Sequence, residues 1–131
     1  MGVHQHRHAA PASVGVGILS VSTTRTIEND ESGLWIARRA KKEGHDVRFH
    51  QVVTDDITAI RDAALRAIRN HGLQALLITG GTGITPTDVT IEAIKPFFSK
   101  EMTAFGAIFA QLSYEEIDSA ATLSRAAAGV I

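Results

Sequence analysis

Three glycines lie within four positions where an apolar segment ends, in the stretch LLITGGTGITPTDVT of residues 76–90. Glycine costs backbone entropy and adds no side chain to a core, so this loop needs bare backbone. Successive N–H groups in such a turn point into one concavity and bind an oxyanion, usually a phosphate. A purely structural turn explains the glycines alone almost as well. The predicted substrate-binding residues here are Thr79, Gly80, Gly81, Thr82 and Gly83.

The loop matches neither of the two common phosphate-binding fingerprints. A Walker loop requires a Lys-Ser/Thr pair after its last glycine, and here Ile84 and Thr85 follow. The dinucleotide fingerprint requires a third glycine at a spacing that this chain lacks. The loop therefore predicts an anion site without naming a nucleotide.

Two carboxylates accompany the loop, because Asp88 follows it and Asp55 follows the segment DVRFHQVV. A carboxylate beside an anion repels it unless a cation lies between them, and Mg²⁺ with several waters is the usual one. We predict a metal–phosphate site in which Asp55 and Asp88 are catalytic and Asp88 binds Mg²⁺. The alternatives are a helix cap for Asp55 and a turn-forming side chain for Asp88. Ser20 and Ser22, after the first apolar segment, are weaker substrate-binding candidates.

The elements that must position these residues alternate along the chain. One helix is expected between its N-cap, which is Asn29 or Asp30, and a stop at Gly44, with Trp35 in the core. A second helix is expected over 57–71. Apolar or alternating runs predict three strands, an edge strand at 46–53 and buried strands at 14–21 and 73–79, the last of them central. This order predicts a three-layer α/β/α fold with a mostly parallel central sheet, which binds ligands at the carboxyl ends of its strands.

Further helices are predicted after the glycine loop. One begins at Thr90, which is expected to cap it, and AFGAIFAQLS forms a short second one. Ser113 and Glu116 match a capping box that starts a third, which runs to about Ala127. Arg125 on that helix has the charge to reach an anion, although a solvated or subunit-contact role explains it equally well.

Composition excludes several classes of protein. The net charge of −1 favours neither nucleic acid nor a membrane as a partner. No apolar run approaches the ~18 residues of a membrane span, and the polar start is not typical of a secretory signal. The absence of cysteine excludes thiolate sites and suits a cytoplasmic protein. We expect a flexible tail over 1–13, although His4, His6 and His8 within it have metal-binding chemistry, and one domain over 14–131.

An ordered set of motifs extends these observations to nearly the whole chain from Val14. The strings are DESG, GHDV, VVTDDITAI, TGGTGITPTDVTIEAIKPFF, FGAIF followed by QLSYEEI, and LSRAAAGV. Together they resemble the molybdenum cofactor biosynthesis proteins MoaB and MogA, and SYEEI resembles the MoaB branch more closely. A lone GGTG is a weak signal, whereas this ordered set is specific.

The resemblance implies an α/β/α fold in a homotrimer or homohexamer that binds molybdopterin, a pterin with a dithiolene and a terminal phosphate. In active relatives, ATP and Mg²⁺ convert molybdopterin to adenylyl-molybdopterin and release pyrophosphate. Asp55 and Asp88 match the two acidic positions of the family site. Gly80, Gly81, Thr82 and Gly83 match its phosphate- and pterin-binding loop.

Three departures from the family pattern favour an alternative, a carrier or scaffold that binds molybdopterin without catalysis. Thr87 and Ala110 stand where relatives commonly carry arginine, so two positive charges are missing. Relatives usually continue past AGV with a strand and turn that line the site, whereas this sequence stops at Ile131, so it is either partial or lacks one wall of the pocket. The related nucleotide-acting domain of competence-damage proteins usually reads GGLGPT with paired aspartates, which fits less well.

Overall fold

The computed structural model describes residues 2–131 and contains a parallel sheet with helices on both faces. Short 3₁₀ turns occupy Ile27–Asn29, Lys95–Phe97 and Asp118–Leu123. The elements in chain order are α1 (Val3–Ala9), β1 (Gly15–Val21), α2 (Glu31–Lys42), β2 (Asp46–Val53), α3 (Ile57–Asn70), β3 (Ala75–Thr79), α4 (Thr90–Ile94), β4 (Lys100–Glu101), α5 (Thr103–Ile117) and β5 (Gly129–Val130).

The main sheet has the strand order β2-β1-β3, and both pairings are parallel. Ser20 of β1 pairs with Val52 of β2 and with Thr79 of β3, so the three carboxyl ends meet at one edge. The parallel α/β/α fold and the edge position of β2 are therefore confirmed. The prediction that β3 is central is wrong, because β1 has a neighbour on each side and every one of its residues is buried. In β3, Leu77 is 45% exposed.

The two faces of β1 are covered by different helices. Leu19 and Val21 belong to a buried cluster with residues of α3 and α4. Ser20, whose side chain points to the opposite face, bonds to Asp30, which is the N-cap of α2. In α3 the sequence pattern decides the packing, because four fully buried residues recur at helical spacing on one face: Ile60, Ala63, Ala64 and Ala67.

The region after α4 differs most from the sequence prediction. α5 is continuous through Ser113, so the predicted capping box is wrong. A capping box needs a non-helical residue at its start, and here Ser113 lies in the interior of the helix, with no glycine or proline between Ala107 and Ser113 to end it. α5 ends where Asp118 adopts a positive φ of 57°, followed by the 3₁₀ turn. The predicted helix to Ala127 is also wrong, since residues 124–128 form neither helix nor strand.

Residues 124–128 are held by tertiary hydrogen bonds that override the helix propensity of their alanines. Met102 N donates to Ala128 O at 2.8 Å, and β5 pairs antiparallel with β4. Within 2–131, no residue of α5 is buried, although the helix is rich in phenylalanine, isoleucine and leucine. Trp35 on α2 is likewise 58% exposed, contrary to the core position expected for it.

At the amino end, Val3–Ala9 forms the short helix α1, where the sequence analysis predicted no helix. All of its residues are exposed. A flexible tail over 1–13 and a single domain over 14–131 stay predictions. Among residues 2–131, no group of three or more histidine, cysteine or acidic side chains is arranged to hold a metal ion. None of the helices in this range has the length and apolar character needed to cross a membrane.

Candidate functional site

The glycine loop begins at the carboxyl end of β3, directly beside the end of β1. The chain leaves β1 toward β2 on one side and later returns to β3 on the other, so the strand order reverses between β1 and β3. In open α/β sheets this reversal is where ligands bind. Gly80 and Gly81 have φ values of +90° and +65°, and a Cβ at Gly80 would overlap the carbonyl of Val21. Only glycine allows this turn at this proximity.

Thr90 fixes the loop from the start of α4. Its hydroxyl donates to Gly80 O at 2.7 Å, and its backbone N–H donates to Gly81 O at 3.1 Å. The prediction that Thr90 caps α4 is therefore wrong, because Val89 occupies the N-cap position and the threonine side chain serves the loop. Glu92 lies in the first turn of α4, as expected.

Several N–H groups of the loop remain available to an anion. Those of Gly81, Thr82 and Ile84 have no protein acceptor among residues 2–131. Thr79 and Thr82, which precede and follow the glycine pair, are half-buried. Consecutive free N–H groups around positive-φ glycines are the features of an anion-binding nest.

Asp88 lies against Gly83 at one side of the loop. Its Oδ2 accepts hydrogen bonds from the hydroxyl of Thr85 at 2.7 Å and from Thr85 N at 3.0 Å. These bonds, first that of the hydroxyl, lower the pKa of Asp88 below its usual range, so the carboxylate is ionised at neutral pH. Asp88 thus forms the turn that the sequence analysis considered. Its Oδ1 makes no hydrogen bond within the described chain, which leaves that oxygen for a ligand.

Asp55 lies at the other side of the loop, after β2. Its Oδ1 would be 3.2 Å from a Cβ placed on Gly81, and its side chain is half-buried. The alternative role as a helix cap belongs instead to its neighbour Asp56, whose Oδ2 accepts from Ala59 N at 2.9 Å. The structure therefore brings both predicted acids to the glycine loop, at positions two residues apart along it.

Ser20 does not face the loop. It is 3% exposed and donates its hydroxyl to Asp30 Oδ2 on the α2 side of the sheet. His50 Nε2 lies 2.8 Å from the same oxygen, and Gly33 N donates to Asp30 Oδ1 at 3.1 Å. Burial opposes ionisation of Asp30, but these hydrogen bonds outweigh it and lower its pKa. The geometry gives Ser20 a structural role and no support as a substrate-binding residue.

Ser22 shapes the connection between β1 and α2. Its hydroxyl oxygen accepts hydrogen bonds from Thr24 N at 3.3 Å and Arg25 N at 3.2 Å, while its own N–H donates to Val53 O at 2.8 Å. It lies at the same edge of the sheet as the glycine loop. Its assignment to the substrate stays a prediction.

Arg125 holds the loop, a role that its sequence position does not indicate. Its Nε donates to Gly83 O at 2.8 Å and a terminal nitrogen donates to Asp88 O at 3.0 Å. The other terminal nitrogen bonds to Glu92, and that hydrogen bond raises the pKa of Arg125. Arg125 is 42 residues from Gly83 in the sequence, so no local pattern carries this signal.

The two carboxylates beside the loop suit Mg²⁺, which needs few ligands from the protein itself. No protein cage exists among residues 2–131, but Mg²⁺ usually keeps several waters and binds one or two carboxylates together with substrate phosphates. Asp55 and Asp88 on either side of an anion-binding loop supply those carboxylates.

This strand order defines a doubly wound α/β protein, and the glycine loop lies where the strand order reverses, with the backbone features of an anion-binding nest. Residues 17–131 match the family described as the probable molybdopterin binding domain. The chain belongs to this family, so the resemblance to molybdenum cofactor biosynthesis proteins is confirmed.

Individual relatives and a solved structure agree with this assignment. The chain is 45% identical to molybdenum cofactor biosynthesis protein B of Bacillus subtilis, over all of this chain and 78% of that protein. It is 41% identical to a molybdopterin adenylyltransferase of Pyrococcus furiosus, over all of this chain and 77% of that protein. A crystal structure of a molybdenum cofactor biosynthesis protein B superposes with a TM-score of 0.88 at 42% identity, covering 93% of this chain and 76% of the other.

Proposed function

We propose that this protein acts in molybdenum cofactor biosynthesis by binding molybdopterin at the glycine loop and adenylylating it with ATP and Mg²⁺. The observation that carries the proposal is the placement of Asp55 beside Gly81 and Asp88 beside Gly83. A 41% identical relative that is named a molybdopterin adenylyltransferase supports the reaction type.

The loop residues hold the phosphate of the pterin. The free N–H groups of Gly81, Thr82 and Ile84 donate to it, and the hydroxyls of Thr79 and Thr82 are proposed as further donors. The ionised carboxylate of Asp88 repels this anion unless a divalent cation lies between them. Asp55 and Asp88 would hold Mg²⁺, which supplies charge neutralisation between two phosphate-bearing substrates.

In the reaction, an oxygen of the terminal phosphate of the pterin attacks the α-phosphorus of ATP. A new P–O bond forms, the bond between the α-phosphorus and the bridging oxygen of pyrophosphate breaks, and pyrophosphate leaves with that electron pair. Protein groups need only position and shield the two anions, which is the usual basis of phosphoryl-transfer catalysis. The reaction requires no covalent protein nucleophile.

A second candidate is a molybdopterin carrier or scaffold without catalysis. Thr87 and Ala110, at positions where relatives commonly carry arginine, are both exposed, so the chain presents less positive charge around the loop. Weaker attraction for a second anion favours binding of the pterin alone.

The protein is further proposed to form a homotrimer or homohexamer in the cytoplasm, with no nucleic acid or membrane as a partner. The support for self-association is α5, whose large apolar side chains are exposed: Phe105, Ile108, Phe109, Leu112 and Tyr114. An apolar surface of this kind marks an interaction site. Native mass spectrometry of the purified protein would detect three or six copies, and a stable monomer would contradict this part of the proposal.

The experiment that tests the function mixes the protein with molybdopterin, ATP and Mg²⁺ and measures adenylyl-molybdopterin and pyrophosphate. We expect both products in equal amounts. Tight pterin binding without ATP consumption would establish the carrier instead. Folded protein that neither binds the pterin nor consumes ATP would overturn both candidates.

A further inference from the structure

Arg125 makes several hydrogen bonds to the backbone of the glycine loop. It lies in the segment 124–128, which forms neither helix nor strand, connects the 3₁₀ turn to β5 and is named the strap here. Its backbone N–H donates to Thr82 O at 2.8 Å, and its side chain donates to Gly83 O and Asp88 O. One residue thus contacts the loop at three carbonyl groups.

The guanidinium group is itself fixed by Glu92 in the first turn of α4. Both terminal nitrogens donate to the Glu92 carboxylate, and the pKa of Glu92 is lowered, first by the hydrogen bond from Arg125. A planar fork of five donors can satisfy a carboxylate and two carbonyls in one geometry, which a lysine ammonium cannot. These bonds occupy the Nε and both terminal nitrogens, so the group is directed to the loop and to α4.

The strap is also anchored on the carboxyl side of Arg125. Ala128 O accepts from Met102 N, and β5 pairs with β4. A Cβ on Gly106, near the start of α5, would lie 3.1 Å from Ala126 O, so the strap also passes close to that helix. The arginine therefore projects from backbone that is anchored on both sides of it.

The direction of these bonds bears on anion binding. Within one peptide unit, the carbonyl of a residue and the N–H of the next residue point in opposite directions. Arg125 binds the carbonyls of Thr82 and Gly83, so it orients the N–H groups of Gly83 and Ile84, and that of Ile84 is free. The free N–H groups of Gly81 and Thr82 are oriented instead by Thr90, which binds the carbonyls of Gly80 and Gly81. Arg125 also holds the backbone of Asp88, whose carboxylate folds over Gly83.

We infer that Arg125 is a positioning residue, which orients the free N–H group of Ile84 and the backbone of Asp88 from behind the loop without contacting the substrate. This inference rests on the proposed function for its consequence in activity. It replaces the role that the charge of Arg125 first indicated, which was direct contact with an anion.

Hydrogen exchange in the ligand-free protein tests the positioning without any substrate. The amides of Thr85 and Asp88 bond within the loop turn and report on its opening. In Arg125→Ala, we expect both to exchange on the order of tenfold faster or more, because several charge-assisted hydrogen bonds are lost. Amides of β1 should be unchanged. Arg61→Ala is the matched control, since Arg61 Nε also donates to a backbone carbonyl on α4, that of Ala93, without touching the loop.

Arg125→Lys distinguishes the effect of the guanidinium hydrogen bonds from the effect of the positive charge. It keeps the positive charge but loses the fork, so we expect faster loop exchange, binding of magnesium pyrophosphate about tenfold weaker, and kcat per folded molecule lowered by about 100-fold. If Arg125→Lys matches the wild type in exchange and binding, or if Arg125→Ala leaves loop exchange unchanged, the inference is overturned. Should Arg125→Ala not fold, Arg125→Lys and Glu92→Gln carry the exchange test.

The two proposals fail in different ways. If the wild type binds neither ATP nor pyrophosphate, the proposed function fails, and the exchange comparison still decides the role of Arg125. If the wild type adenylylates the pterin and Arg125→Lys does so at the same rate with an unchanged loop, the function stands and the positioning role falls.

Discussion

Two aspartates of this chain, Asp30 and Asp88, accept similar hydrogen bonds but differ in how accessible their carboxylates are. Asp30 and Asp88 each accept from a hydroxyl and from a backbone N–H, and both have a lowered pKa. Asp30 is 1% exposed, and both of its oxygens are bonded. Asp88 is half-buried at the loop, and only one of its oxygens is bonded.

The difference shows what separates a structural carboxylate from an available one. In the Asp30 cluster, Ser20, His50 and Gly33 surround the charge, and a Cβ on Gly33 would overlap the aspartate. A buried charge must be satisfied in this way, since an unpaired one is very costly. At Asp88 the protein satisfies half of the group and leaves half to solvent or a ligand. Residue type and pKa shift are alike, so accessibility decides the role.

The largest expected effect comes from Asp88→Asn. The amide oxygen still accepts from Thr85, so the turn and the fold should remain, while the charge that holds Mg²⁺ is lost. We expect turnover in the adenylyl-transfer assay to fall by about 10³-fold, since metal-assisted charge stabilisation contributes several kcal/mol. Asp46→Asn is the control, because Asp46 lies at the amino end of β2, away from the loop. Unchanged turnover in Asp88→Asn would refute the metal role.

Asp30→Ala should give the opposite result, a loss of stability with little loss of turnover per folded molecule. It removes the N-cap of α2 and leaves the buried hydroxyl of Ser20 and the ring of His50 without their acceptor. We expect the free energy of unfolding to fall by about 3 kcal/mol and Tm by about 10 °C. Thermal unfolding followed by circular dichroism measures both. A Tm equal to that of the wild type would show that the cluster contributes nothing to the fold.

The neighbours Asp55 and Asp56 repeat the comparison on a smaller scale. Asp56→Ala removes the cap of α3 and should cost about 1 kcal/mol of stability with turnover unchanged. Asp55→Asn should leave stability nearly unchanged and lower turnover by about tenfold or more, because Asp55 lies beside Gly81. Chemical denaturation and the adenylyl-transfer assay, applied to both variants, separate the two roles. The reverse pattern would assign the cap to Asp55 after all.

Local pattern was enough to predict the first two thirds of the fold. The alternation of strands and helices, the cap Asp30 and the glycine loop at the end of β3 all follow from spacing and residue type within short windows. The centre of the sheet did not follow, because an apolar strand has the same pattern whether one or two neighbours pair with it. β3 was therefore placed at the centre that β1 occupies.

The remaining errors share one physical cause, which is that local sequence does not report tertiary partners. The alanines of the strap have high helix propensity, and pairing with distant backbone overrides it. Thr90 has the type expected of a cap, and its hydroxyl bonds instead to Gly80. Ser20, by contrast, stays an untested prediction for the substrate, although its side chain points to the α2 face, which its place at a strand end does not reveal.

The position of the strap in the sequence also sets the order in which the parts of this protein are synthesised. The residues of the main sheet and its buried cluster lie within residues 15–98. Arg125 follows 27 residues after the end of that range. At about 5–20 residues per second, the ribosome adds this arginine seconds after the last residue of the sheet and its cluster. Under the proposed function, the residues of the architecture are therefore made before the residue that positions the phosphate site.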